Sequence, residues 1–251
     1  MRGRRILAAA LLAGALLTGP MQSESAATLC DSPGGPAATD PVTELAPEVT
    51  DVPPRLEETR IHWTRWHARL VFGGSALLEG QVVTDDGAVS EATVDLLARE
   101  AGSDRWTSMG SATSDPETGV FSFDCLRPGA TTEYRAVYDG TLYYAGSQGD
   151  RTVQVARRVP DAMEQVAPYR FRFTGSVQPS YVDRPVLLQR KSCAECGWRT
   201  MVRRDTSARS AWRFTIDVSN LNGERWFRAV VPSDERYVLS PSDRVWRITN
   251  R

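Results

Sequence analysis

The chain repeats itself at a nearly fixed spacing, and that constrains its fold more than anything else in the sequence. "LEGQV" at Leu78 to Val82 is answered by "FTGSV" at Phe173 to Val177, and "VDLLAR" at Val94 to Arg99 by "VLLQR" at Val186 to Arg190. "WTSM" from Trp106 returns as "WRTM" from Trp198, and "FSF" ending at Phe123 returns as "WRF" ending at Phe214. "YRAV" at Tyr134 to Val137 becomes "FRAV" at Phe227 to Val230, and "YAGS" at Tyr144 to Ser147 becomes "YVLS" at Tyr237 to Ser240. The separations stay near 91 to 95 residues and the order is kept. A unit of about that length suits one small β-sandwich, so two copies in tandem are expected.

Within each copy, short runs rich in Val, Leu, Thr, Phe, Tyr and Trp alternate with Gly, Asp, Ser and Pro clusters. No long 3.6-residue period appears after the N-terminal region, so the expectation is all-β. In the first copy, strands are expected over 75–83, 92–100, 105–113, 120–125, 132–138 and 151–155. Val94 and Leu96, like Phe121 and Phe123, recur on a period of two and mark a core face. Asp85, Asp86 and Gly87 sit where a turn needs them. The expected division is a signal peptide over 1–27, a flexible Pro/Ala/acidic lead-in over 28–57 and a first sandwich over 58–159. A linker over 160–168, with one short helical turn, and a second sandwich over 169–251 complete it.

The signal peptide rests on Arg2, Arg4 and Arg5 ahead of an apolar run from Ile6 to Leu17 and the small residues Ser25-Ala26-Ala27. That run is short for a membrane span, so export without stable membrane insertion after cleavage is the expectation. The four cysteines, Cys30, Cys125, Cys193 and Cys196, all follow the expected cleavage site. An even count in an oxidising compartment points to two disulfides, with Cys30 pairing Cys125 across a long loop. Net charge is −1, so no global steering toward nucleic acid is implied. From Ala167 onward, however, basic residues outnumber acidic ones about two to one, and Lys191 is the only lysine.

The stretch "LEGQVVTDDGAVSEATVDLLAR…SATSDPETGVFSFDCLRPGATTEYRAVYDG" resembles the bacterial Ig-like modules of secreted proteins. It is also similar to their Cna-B and carboxypeptidase-regulatory relatives. "FTGSVQPSYVDRPVLLQRKS…WRTMVRRDTSARSAWRFTIDV" resembles the Ig-like form found in tandem in extracellular proteins of GC-rich Gram-positive bacteria. The resemblance implies two tandem Ig-like Greek-key β-sandwiches and supplies no catalytic residues. Such modules space, adhere or bind, so the fold by itself does not choose among these roles.

Cys193 and Cys196 stand in a C-x-x-C spacing, which serves a dithiol redox centre, half a zinc site or a structural clip. Here the pair sits at the tip of an expected hairpin rather than at a helix start. The nearest histidines, His62 and His67, belong to the first copy. A local clip is the expected reading. Around it, Arg190, Lys191, Trp198 and Arg199 offer a binding surface, and Trp63 and Trp66 offer stacking platforms in the first copy. No nucleophile elbow, phosphate loop or metal-ligand set is present, so no catalytic residue, metal or cofactor is expected. The functional expectation is a secreted, non-enzymatic protein with a structural, adhesive or interaction role at or outside the cell surface. A carbohydrate- or cell-wall-polymer-binding accessory protein is the alternative. The partner is then a protein or an extracellular glycan.

Overall fold

The structure, a computed structural model, describes residues 55–221 and 223–250. The expected signal peptide and all but the last three residues of the expected lead-in lie outside the described residues. No helix occurs among the described residues. The first eight strands are β1 (Arg60–Trp66), β2 (Arg69–Val71), β3 (Ala76–Val83), β4 (Thr93–Glu100), β5 (Thr107–Thr113), β6 (Val120–Leu126), β7 (Thr132–Tyr138) and β8 (Ser147–Ala156). Eight more follow as β9 (Asp161–Ala167), β10 (Arg170–Ser176), β11 (Pro185–Lys191), β12 (Arg199–Asp205), β13 (Ala211–Asp217), β14 (Gly223–Val231), β15 (Ser240–Pro241) and β16 (Trp246–Asn250).

In the N-terminal half, the sheet β1-β3-β6 faces the sheet β2-β8-β7-β4-β5. Both sheets send side chains into one apolar cluster, including Leu78, Val82 and Phe121 from the first and Leu96, Tyr134 and Val153 from the second. In the C-terminal half, β9-β10-β13 and β12-β11-β14, with β15 and β16 on β14, enclose a second cluster around Phe173, Leu188, Phe214 and Phe227. Two sheets packed over a shared apolar layer make a β-sandwich. Burying each of these side chains contributes about 1.5–3 kcal/mol, which is what drives the layers together.

The repeat read in the sequence is a repeat of register. Leu96 pairs with Ala136 across β4 and β7, and Leu188 pairs with Ala229 across β11 and β14. Gly80 lies opposite Phe121, and Gly175 lies opposite Trp212. A Cβ on Gly80 would come within 2.7 Å of the Phe121 ring, and one on Gly175 within 2.4 Å of the Trp212 ring. The sequence keeps glycine at both positions because a ring lies directly against the backbone there.

Two expectations need correction. Residues 160–168 are not a linker with a helical turn, because 161–167 form β9, paired along β10. This strand stands where β1 stands in the first half. Val159 is already buried in the second cluster, and Asp161 accepts a hydrogen bond from the Trp246 indole N–H at 2.6 Å. The lead-in also stops short of 57. The N–H of Glu57 donates to Tyr143 O, and Glu57 O accepts from the N–H of Ala145, both at 2.8 Å.

The two halves meet without an intervening spacer. The N–H of Val238 donates to Val155 O and that of Thr131 to Arg236 O, while the Tyr237 hydroxyl donates to Gly129 O at 2.6 Å. Tyr237 packs with Ala130 and Val155 in a small third cluster. On its other side, the 234–240 segment rests on Arg157, which is 5% exposed. This guanidinium pairs with the Asp234 carboxylate at 3.0 Å and donates to Pro179 O at 3.1 Å. Its central carbon lies 4.0 Å from the centre of the Tyr237 ring and 4.6 Å from that of the Tyr181 ring.

Candidate functional site

The sequence-predicted binding residues separate into three groups. Trp63 is buried at 4% exposure and meets Phe121 edge to face at 5.8 Å. It is a core residue, so the expectation that it serves as a stacking platform is corrected. After a register shift between Trp63 and Arg65, Trp66 lies opposite Leu78 near the end of β1, where it is 40% exposed with the Arg151 guanidinium 4.7 Å from its ring. Nearby, His67 Nδ1 accepts the N–H of Leu77 at 3.0 Å, which occupies that nitrogen structurally. Only the third group, at the tip of the β11–β12 hairpin, comes together as a site.

Cys193 and Cys196 are joined by a disulfide, and the N–H of Cys196 donates to Cys193 O across the same tight turn. Lys191 Nζ donates to Ala194 O, tying the strand end to the loop. Beside this clip lies a cavity of about 460 Å³ lined by Arg190, Lys191, Ser192, Cys196, Trp198 and Arg199. The four residues singled out in the sequence therefore line one depression, with the disulfide as one wall. Cys125 lies in β6 at φ +55°, where two residues of β6 bulge against β3. Its expected partner Cys30 lies outside the described residues.

Trp198 is half-buried, with the Arg228 guanidinium 4.2 Å and the Lys191 ammonium 5.2 Å from its ring. Lys191 also lies 5.8 Å from the Trp226 ring, which pairs with it across β11 and β14. Contacts of this kind contribute about 0.5–2 kcal/mol each, more as water is excluded. Arg228 and Trp226 were not among the sequence candidates. The signal that locates Arg228 is the repeat itself, since it holds in "FRAV" the place of Arg135 in "YRAV".

The first half has the same arrangement with its charge cancelled. Arg99 lies 4.7 Å and Arg135 4.6 Å from the Trp106 ring. There, however, Arg99 pairs with Glu133 at 2.5 Å, and Arg135 makes a two-pronged pair with Asp150 at 2.8 and 2.9 Å. In the second half, the position opposite Lys191 is Trp226 where the position opposite Arg99 is Glu133. Arg228 donates to the neutral Gln189 amide at 3.0 Å. The effect on the two arginines is opposite. The hydrogen bond to Asp150 raises the pKa of Arg135, whereas burial lowers that of Arg228.

The edge of the sheet differs as well. Ala98 pairs with Thr107 in the first half, and the corresponding pair in the second is Arg190 with Arg199. Among the described residues, none of Arg190, Lys191, Arg199 and Arg228 forms an ion pair with a carboxylate. Glu195, in the loop itself, is exposed and bridges to none of them. The turn carboxylates have local duties. Asp115 accepts the N–H groups of Thr118 at 2.7 Å and Glu117 at 3.0 Å, and the bond to Thr118 holds its carboxyl below the usual range. Asp85 pairs with Arg60 at 3.2 Å.

No protein-family profile matches the chain, and no curated protein matches it. Among solved structures, it is similar to the tetra-tandem repeat in the extending region of a large adhesion protein, at 12% identity and a TM-score of 0.33. That match covers 76% of this chain and 49% of the other. It is similar also to the native conformation of E. coli alpha-2-macroglobulin, at 13% identity and a TM-score of 0.35, over 79% of this chain and 14% of the other. The chain thus spans about half the length of the first of these and a small fraction of the second.

Proposed function

We propose that this is an exported, non-enzymatic interaction protein built of two Ig-like β-sandwich modules. In this reading the first module and the joint around Arg157 are scaffold, and the second module presents the binding face. Export rests on the basic, apolar and small-residue pattern of residues 1–27. The binding role rests on one observation. The same tryptophan–cation arrangement occurs twice, and only around Trp198 are its cations left without carboxylate partners. Charges left unpaired beside an accessible aromatic ring are a surface prepared for a partner rather than for folding.

The test is retention of the chain from Thr28 onward on a cell-wall preparation. Trp198→Ala is expected to reduce retention about tenfold, the loss of roughly 1.4 kcal/mol from an aromatic anchor that a partner would cover. Trp66→Ala and Trp106→Ala are expected to leave it unchanged. Equal retention of the Trp198 variant and the unsubstituted chain would exclude this site as the binding face.

A further inference from the structure

The cross-strand pair Arg190–Arg199 is the feature of this site that folding does not explain. Like charges placed directly opposite in an antiparallel pair destabilise a sheet, and here no carboxylate among the described residues offsets them. Lys191, which lines the same cavity, and Arg228 add two further cations, both against the Trp198 ring. A wall of this kind gains free energy only when something anionic arrives. The half-buried indole at its centre provides an apolar platform, which a fully ionic partner would leave unused.

We propose that the Trp198 face binds an acidic polysaccharide, with its anionic groups on Arg190, Lys191 and Arg199 and a sugar ring against the exposed part of the indole. This deepens the reading of that face as the binding surface and rests on it. Charge supplies attraction and steering, while the indole supplies the preference for a sugar over other polyanions. The 192–197 loop, closed by the disulfide, limits how the chain of the glycan lies across the cavity. Carboxylate and sulfate groups share the required chemistry. Neutral glycans lack it, and acidic polypeptides lack the ring face.

Affinity of the chain from Thr28 onward is measured for polygalacturonate, dextran sulfate, neutral dextran and polyglutamate. One or both of the first two are expected to bind, and which one does identifies the anionic group. A roughly fourfold rise in salt is expected to weaken this binding about tenfold, as for a polyanion held by several cations. Arg199→Ala is expected to weaken binding at least about fivefold while leaving the melting temperature unchanged or higher, because it removes a like-charge contact. A drop in melting temperature parallel to the loss of binding would assign Arg199 a folding role and overturn the proposal. Equal binding of polyglutamate and the glycans would overturn the sugar component. Retention on cell walls through Trp198 with no binding to either acidic glycan would overturn this inference and leave the binding-face reading standing. Indifference of all binding to Trp198→Ala would remove both.

Discussion

Trp63→Ala is expected to destabilise the protein by about 3–5 kcal/mol, whereas Trp66→Ala should change stability by less than about 0.5 kcal/mol. The two residues lie three apart in one strand, yet their surroundings have nothing in common. Trp63 is closed in by the first cluster and meets Phe121 edge to face. Deleting it removes the largest side chain on β1 from that cluster and leaves a cavity that two facing sheets cannot close without moving. Trp66 meets the Arg151 guanidinium at the surface, an exposed contact of modest strength. Denaturant unfolding of the two variants checks this. A large loss from Trp66→Ala, or a small one from Trp63→Ala, would contradict the placement of β1.

Arg157→Ala is expected to cost about 3 kcal/mol, the lower end of what breaking a buried ion pair costs, because Arg184 remains 3.1 Å from the same Asp234 oxygen. Arg157 holds the 234–240 segment from behind while the outer side of that segment pairs with Thr131 and Val155. Its loss removes the pairing, two ring contacts and the bond to Pro179 O together. For a described body of this size, the expected fall in melting temperature is about 6–12 °C. The effect should depend on pH. Burial pushes the Asp234 carboxyl up, but hydrogen bonds from Arg157 and from the N–H groups of Arg236 and Tyr237 outweigh it and hold the carboxyl below its usual range. A carboxyl depressed in the folded state contributes stability above its ordinary pKa and loses it as pH falls through the folded value. The difference between the unsubstituted chain and Arg157→Ala should therefore be full at neutral pH and shrink under acid conditions. A difference independent of pH would show that the ion pair is not what Arg157 contributes.

Most of the strand set was legible because strands such as β3, β4, β7 and β13 face a core on one side, so the period of two appears in the residues themselves. The repeat was legible for the same reason, since Leu96 and Leu188, or Phe121 and Trp212, answer to the same packing in both halves. β9 was not legible. It is an edge strand paired only with β10 and largely exposed, so "DAMEQVA" needs no apolar alternation, and Pro160 ahead of it reads as a break. The repeat nonetheless implied a counterpart for β1, and that was the unused signal.

Arg157 was illegible for a different reason. Nothing distinguishes "ARRVP" from a solvated arginine pair until Tyr181, Asp234 and Tyr237 are brought around it from farther along the chain. At the candidate site, Arg190, Lys191, Trp198 and Arg199 were found because they are neighbours in sequence. Arg228 and Trp226 come from β14 and join the others only through strand pairing. What distinguishes the site is equally invisible locally. It lies in the absence of the carboxylates that Glu133 and Asp150 supply in the other half, so it emerges only when the two copies are superposed residue by residue.

The central claim is that one scaffold is used twice and that, of the two equivalent tryptophan–cation clusters around Trp106 and Trp198, only the second is left available to a partner. The indole N–H resonances of the chain from Thr28 onward, followed during titration with an acidic oligosaccharide, test it most directly. The expected result is that Trp198 and Trp226 shift with the ligand while Trp106, surrounded by its own neutralised arginines, stays where it is. Equal shifts at Trp106 and Trp198, or movement at Trp106 alone, would contradict the account.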